Sequence, residues 1–123
     1  MGVLEHLPDP IETIKSIQGV VSGKFLLVMT TVNAESDIPY RYKPPEHLTY
    51  WTSQAVEVMF SRLGGQVIEI SEYRMIQQTR VYLERVLARS EKLIREGVTF
   101  RDLPEFVEIP TNEWWIVGWL PPS

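Results

Sequence analysis

No cysteine occurs among the 123 residues, which excludes disulfides, thiolate nucleophiles and Cys-based zinc sites. That absence fits a reducing compartment. Basic residues are in deficit, with 12 Lys and Arg against 16 Asp and Glu, a net charge of −4 and a pI near 5.2. A non-specific nucleic-acid footprint is therefore not expected. The longest apolar run, Phe25 to Met29, falls far short of the ~20 residues that span a bilayer. The first residues hold no basic segment followed by an apolar stretch, so no signal peptide is read. A cytoplasmic setting without a membrane partner is the expectation. Glycine-rich phosphate cradles are absent too: none of the seven glycines forms G-x-G-x-x-G or G-x-x-x-x-G-K. There is no G-x-S-x-G elbow, no H-E-x-x-H pair and no EF-hand loop.

The residues present predict alternating helices and strands. Asp9-Pro10-Ile11-Glu12 is a helix start, with Asp9 as the cap, Pro10 in the first turn and Glu12 three residues on. Ile11, Ile14, Ile17 and Val21 follow at helical spacing, and Ser22-Gly23 ends the segment. KFLLVMTTV at 24–32 is almost wholly apolar or β-branched and predicts a strand covered on both faces, as in the middle of a parallel sheet. Residues 33–51 read as a long loop with three prolines, of a length that is often functional. A second helix, capped by Thr52 or Ser53, carries Val56, Met59, Phe60 and Leu63 on one side and stops at Gly64-Gly65. QVIEISEY at 66–73 alternates as a strand does. Amphipathic periodicity predicts one long helix over 75–96, and NEWWIVGWL at 112–120 reads as a final strand. Gly2-Val3-Leu4 looks like the last step of a further strand. The whole is expected to be one α/β domain, a sheet with helices on its faces.

The only two histidines, His6 and His47, are each preceded by glutamate and followed by leucine. Imidazole and carboxylate together bind divalent metals or move protons. Glu5-His6 follows a possible strand end, and His47 lies on the loop after the 24–32 strand. Loops at the C-terminal ends of parallel strands are where open α/β sheets build sites, so the two segments can converge. The plainer alternative is that His6 orders the turn before the helix and His47 packs among Tyr50 and Trp51.

LEHLPDPIETIKSIQGVVSGKFLLVMTTVN resembles the middle of a class I S-adenosylmethionine-dependent methyltransferase: a strand end, Leu-Glu-His-Leu, Asp-Pro, a helix, a turn and an apolar strand finishing in Thr-x-Asn. EHLTYWTSQAVEVMFSRLGGQVIEI resembles the family's next segment, His-x-x-x-Trp/Phe-Thr with its helix and strand. The resemblance covers residues 2–73 well and 112–120 loosely. It implies the C-terminal half of a Rossmann-like methyltransferase sheet, a mixed sheet with an antiparallel last strand, in one partial domain over 1–123. Residues 75–97 would be a helical insertion between the last two strands.

By that resemblance the chain is the substrate-side portion of a methyltransferase, without the glycine-rich loop that holds the methyl donor. S-adenosylmethionine would be the cofactor of the full-length parent, and this chain alone is expected to be inactive and not to bind it. Glu5, His6 and His47 would line the junction of donor and acceptor, with Leu7, Asn33, Tyr50 and Trp51 beside it. A general-base role falls to His6 or His47, whose ordinary pKa near ~6.5 suits proton removal at neutral pH. Two branches of the family hold a metal through Glu-x-x-Glu-His, and one adds a later histidine. Glu5, His6 and His47 match three of those positions, and the first glutamate would fall at Gly2. With that ligand lost, no metal is expected; Glu5, His6 and His47 are the only candidates for one. The alternative reading is a non-catalytic interaction module. Its exposed sheet edge would pair with a second copy or with an N-terminal half.

Overall fold

The computed structural model describes residues 3–36, 44–87 and 103–123. A single 3-10 turn at Leu4–His6 leads into α1 (Pro10–Gln18), β1 (Phe25–Val32), α2 (Ser53–Arg62), β2 (Gln66–Gln78), α3 (Thr79–Leu87) and β3 (Phe106–Leu120). Both expected helix starts are capped as their sequences predict. The Asp9 carboxylate accepts from the Glu12 amide at 3.0 Å, and the Thr52 hydroxyl accepts from the Ala55 amide at 3.1 Å. In α1, Glu12 pairs with Lys15 at 2.6 Å and raises the lysine pKa. The helix stops at Gln18 rather than Val21, and the buried Gln18 amide donates to the carbonyls of Leu63 and Pro121.

The three strands form one antiparallel sheet in the order β1-β3-β2, so the last strand lies between the first two. Phe25 faces Leu120 and Val32 faces Glu113 across the β1–β3 ladder. The structure is of the α/β class, and its last strand is antiparallel as expected; no parallel pair joins the named strands. In the described sheet β1 pairs on one side only, and one of its faces is open, which corrects the expectation of a strand covered on both faces. Its Leu26 and Val28 are exposed beside Trp119. An almost continuous apolar run does not show whether both faces are covered, because that depends on which elements pack over the sheet. Where β1 ends, its edge is occupied: the Val3 amide donates to the Thr30 carbonyl at 3.3 Å.

The chain divides into two compact units, one of Met1–Tyr73 with Asn112–Ser123 and one of Arg74–Thr111. In the first, Leu4, Ile14, Val56, Met59, Phe60, Leu63, Ile116 and Leu120 make the core. Cross-strand pairing puts Phe25, Leu27 and Met29 on the same face as Leu120, Gly118 and Ile116, which α1 and α2 cover. The described helices of this unit thus lie on one face rather than on both. Gly118 is required there: a Cβ would run into the ring of Phe60. Gly64 ends α2 at φ 72°, a backbone region that favours glycine.

The second unit holds the outer parts of β2 and β3 together with α3. Residues 75–78 are strand, not helix, so the expected helix begins four residues later, at Thr79. Its remainder, 88–96, lies outside the described residues. β3 starts at Phe106, six residues before the expected strand, and passes through Pro110. Pairing of the two long strands overrides the helical spacing that begins at Met75. Thr79 fixes the start of α3, with its amide and hydroxyl donating to the carbonyls of Glu105 and Pro104.

Candidate functional site

The 3-10 turn before α1 and the segment before α2 meet at the C-terminal end of β1. Backbone bonds hold them there: the Leu48 amide donates to the Glu5 carbonyl at 2.6 Å, and the Thr49 hydroxyl donates to the Leu4 carbonyl at 3.2 Å. Trp51 forms a parallel bridge with Asn33, and its carbonyl accepts from the Ala34 amide at 2.9 Å and from Trp114 Nε1 at 2.9 Å. Segments distant in sequence are thereby fixed against each other.

The geometry brings Glu5, His6 and His47 together. One donor atom from each lies within 4.8 Å of the others. The two imidazoles stand edge to face with centroids 5.0 Å apart, and Tyr50 approaches His47 in the same manner at 6.1 Å. Glu5 is 2% exposed, an unusual burial for a carboxylate. Its Oε2 accepts from the Thr31 hydroxyl at 2.9 Å, and its Oε1 lies 3.8 Å from His6 Nε2. The other nitrogen of His6, Nδ1, lies 2.8 Å from the Glu46 carbonyl. A carbonyl can only accept, so Nδ1 carries the proton and Nε2 is the atom turned toward Glu5.

The remaining expected residues divide. Leu7 and Trp51 pack against the core, and Trp51 Nε1 donates to the Thr49 hydroxyl. Trp51 also lines a shallow groove of about 410 Å³ with Ile11, Ala55, Val58 and Met59. Asn33 stands at the end of β1, where its side-chain oxygen accepts from the Glu35 amide at 2.7 Å and caps a turn. Thr31 and the Glu46 carbonyl were not among the expected site groups. A threonine in a strand reads only as a β-former, and a backbone carbonyl has no residue-type signal at all.

The metal implied by part of the resembling family can be tested against these atoms. Gly2, where the family's first glutamate would fall, lies outside the described residues. The three donors present are one buried carboxylate and two imidazoles, with Thr31 and Glu46 bonding the outer atoms of Glu5 and His6. Outer partners of this kind accompany metal ligands generally. The set fits a divalent ion. In comparisons with known proteins, no protein-family model and no curated protein matches the chain.

Proposed function

We propose that this chain is the acceptor-side portion of a class I S-adenosylmethionine-dependent methyltransferase. The observation that carries the reading is the convergence of Glu5-His6 with His47 and Tyr50 at the C-terminal end of β1. Sites in open α/β sheets form at such strand ends. The antiparallel placement of the last strand agrees with the same reading.

In the complete enzyme, S-adenosylmethionine supplies the methyl group to a nucleophilic atom of the acceptor. This chain's residues shape the acceptor side. Glu5, fixed by Thr31, makes a negative wall. His6 presents Nε2 as its proton-accepting atom, and the His47–Tyr50 pair offers an aromatic surface against which an acceptor lies. No G-x-G-x-x-G segment occurs in these 123 residues, so in this reading the donor's nucleotide moiety is held by residues outside them. Calorimetry with adenosylhomocysteine tests this. The chain alone is expected to give no saturable heat, and a complex with a glycine-rich nucleotide-binding half is expected to give 1:1 binding. Tight binding by the chain alone contradicts the division.

A second reading, a non-catalytic pairing module, is favoured by the outer edge of β1. Thr30 directs its carbonyl away from β3, to Val3, so by strand alternation Leu26 and Val28 direct their backbone groups the same way. Both side chains are exposed, and no charge interrupts residues 25–32. Light scattering across a wide concentration range decides: a growing dimer fraction that Val28→Lys abolishes supports pairing, and a constant monomer mass contradicts it.

A further inference from the structure

We propose that the acceptor held at this site is a primary amine, bound as its ammonium ion between Glu5 Oε1 and His6 Nε2. The amine's role as acceptor rests on the methyltransferase reading; its binding does not.

Two hydrogen-bond acceptors face each other here. The His6 Nδ1 proton is committed to the Glu46 carbonyl at 2.8 Å, so a neutral ring turns its Nε2 lone pair toward Glu5. The facing oxygen, Oε1, lies 3.8 Å away, beyond hydrogen-bond reach. Thr31 holds the opposite oxygen at 2.9 Å, which fixes the carboxylate and leaves Oε1 for a ligand. Glu5 is 2% exposed, and among the described residues His6 is its only ion-pair partner. A buried carboxylate beside a neutral imidazole is stabilised by a cation with protons to donate.

The gap selects the cation. An atom about 2.9 Å from each of two acceptors fits between them when they are less than about 5.8 Å apart, and 3.8 Å meets that condition. The occupant must donate to both acceptors at once. A primary ammonium has three protons; a hydroxyl and a tertiary ammonium have one each. Water has two protons but no charge to set against the carboxylate. Half of the His6 side chain is exposed (49%), so the gap is reached along that ring, and the burial of Glu5 admits only a narrow tip. A ligand atom of His47 lies within 4.8 Å of those of Glu5 and His6, and Tyr50 stands beside the His47 ring at 6.1 Å. Aromatic rings beside the charge favour a cation further. Used as an acceptor, the nitrogen gives one proton to His6 Nε2. Its freed pair bonds the methyl carbon while the carbon–sulfur pair stays on sulfur, and the amine leaves as its methylammonium.

The test follows imidazole 15N resonances of the metal-free full chain in amine-free buffer, at a pH where both rings are neutral. Benzylamine, benzyl alcohol and N,N-dimethylbenzylamine are titrated separately; they share a ring and differ at the tip. Benzylamine is expected to saturate and to move the His6 Nε2 resonance. The alcohol, neutral with one proton, and the dimethylamine, charged with one proton, each bind at least about 10-fold more weakly, the effect of one lost charge-assisted hydrogen bond. His6→Ala and Glu5→Gln each weaken benzylamine by about 10-fold or more; if Glu5→Gln fails to fold, His6→Ala at its half-exposed position decides alone. Absence of saturable benzylamine binding overturns the proposal, as does equal affinity for the dimethylamine, or affinity retained in His6→Ala. Adenosylhomocysteine takes no part in this titration, so the amine site and the methyltransferase reading fail separately.

Discussion

Glu5-His6-Leu7 and Glu46-His47-Leu48 share a tripeptide, yet their chemistry is divided between different atoms. Glu5 is buried and offers its carboxylate; Glu46 is exposed and offers its backbone carbonyl, to His6. Leu7 packs against the core, whereas Leu48 is 50% exposed. Only the histidines act alike, each turning its ring toward the other. The difference comes from backbone context. Glu5-His6 lies in a turn pinned between β1 and α1, while Glu46 to Leu48 is a strap laid over that turn through the Leu48 and Thr49 bonds. A repeated triplet thus marks two sides of one side-chain cluster and says nothing about which atoms each side supplies.

The asymmetry can be broken at four places. The largest effect is expected at the glutamates. Glu5→Ala leaves the buried Thr31 hydroxyl without its acceptor and costs about 2–3 kcal/mol in denaturant unfolding. Glu46→Ala keeps the carbonyl and stays within about 0.5 kcal/mol of the parent. Next comes Thr31→Val, which removes a hydrogen bond to a buried charged acceptor at nearly constant volume. Urea unfolding should register a loss of about 1.5–2 kcal/mol. The leucines follow: Leu7→Ala costs about 1 kcal/mol for a half-buried side chain, and Leu48→Ala is close to neutral by thermal unfolding. Smallest are His6→Ala and His47→Ala, each within about 0.5 kcal/mol in stability.

Local rules carried part of the fold. Asp9 and Thr52 cap their helices because an oxygen three residues ahead of an orphan amide is a purely local arrangement. The meeting of His6 and His47 was legible only as one of two alternatives, beside two separately packed histidines. Three things were not. The open face of β1 depends on which elements pack over the sheet, and Leu26 and Val28 look no different from core residues in sequence. The stretch from Met75 to Gln78 has helical spacing and is nevertheless drawn into β2, while Pro104 and Pro110 conceal the early part of β3. The carbonyl of Glu46, which sets the orientation of His6, belongs to the backbone and leaves no mark on residue type.

The central claim, that Glu5-His6 and His47 form one site, is tested most directly by imidazole 1H–15N correlation spectra of the metal-free chain. They are recorded at a pH where both rings are neutral, for the parent and for His47→Ala. The expected result is a His6 ring protonated at Nδ1, with an unprotonated Nε2 whose resonance moves when His47 is removed. A His6 ring protonated at Nε2, with resonances indifferent to the loss of His47, would contradict it.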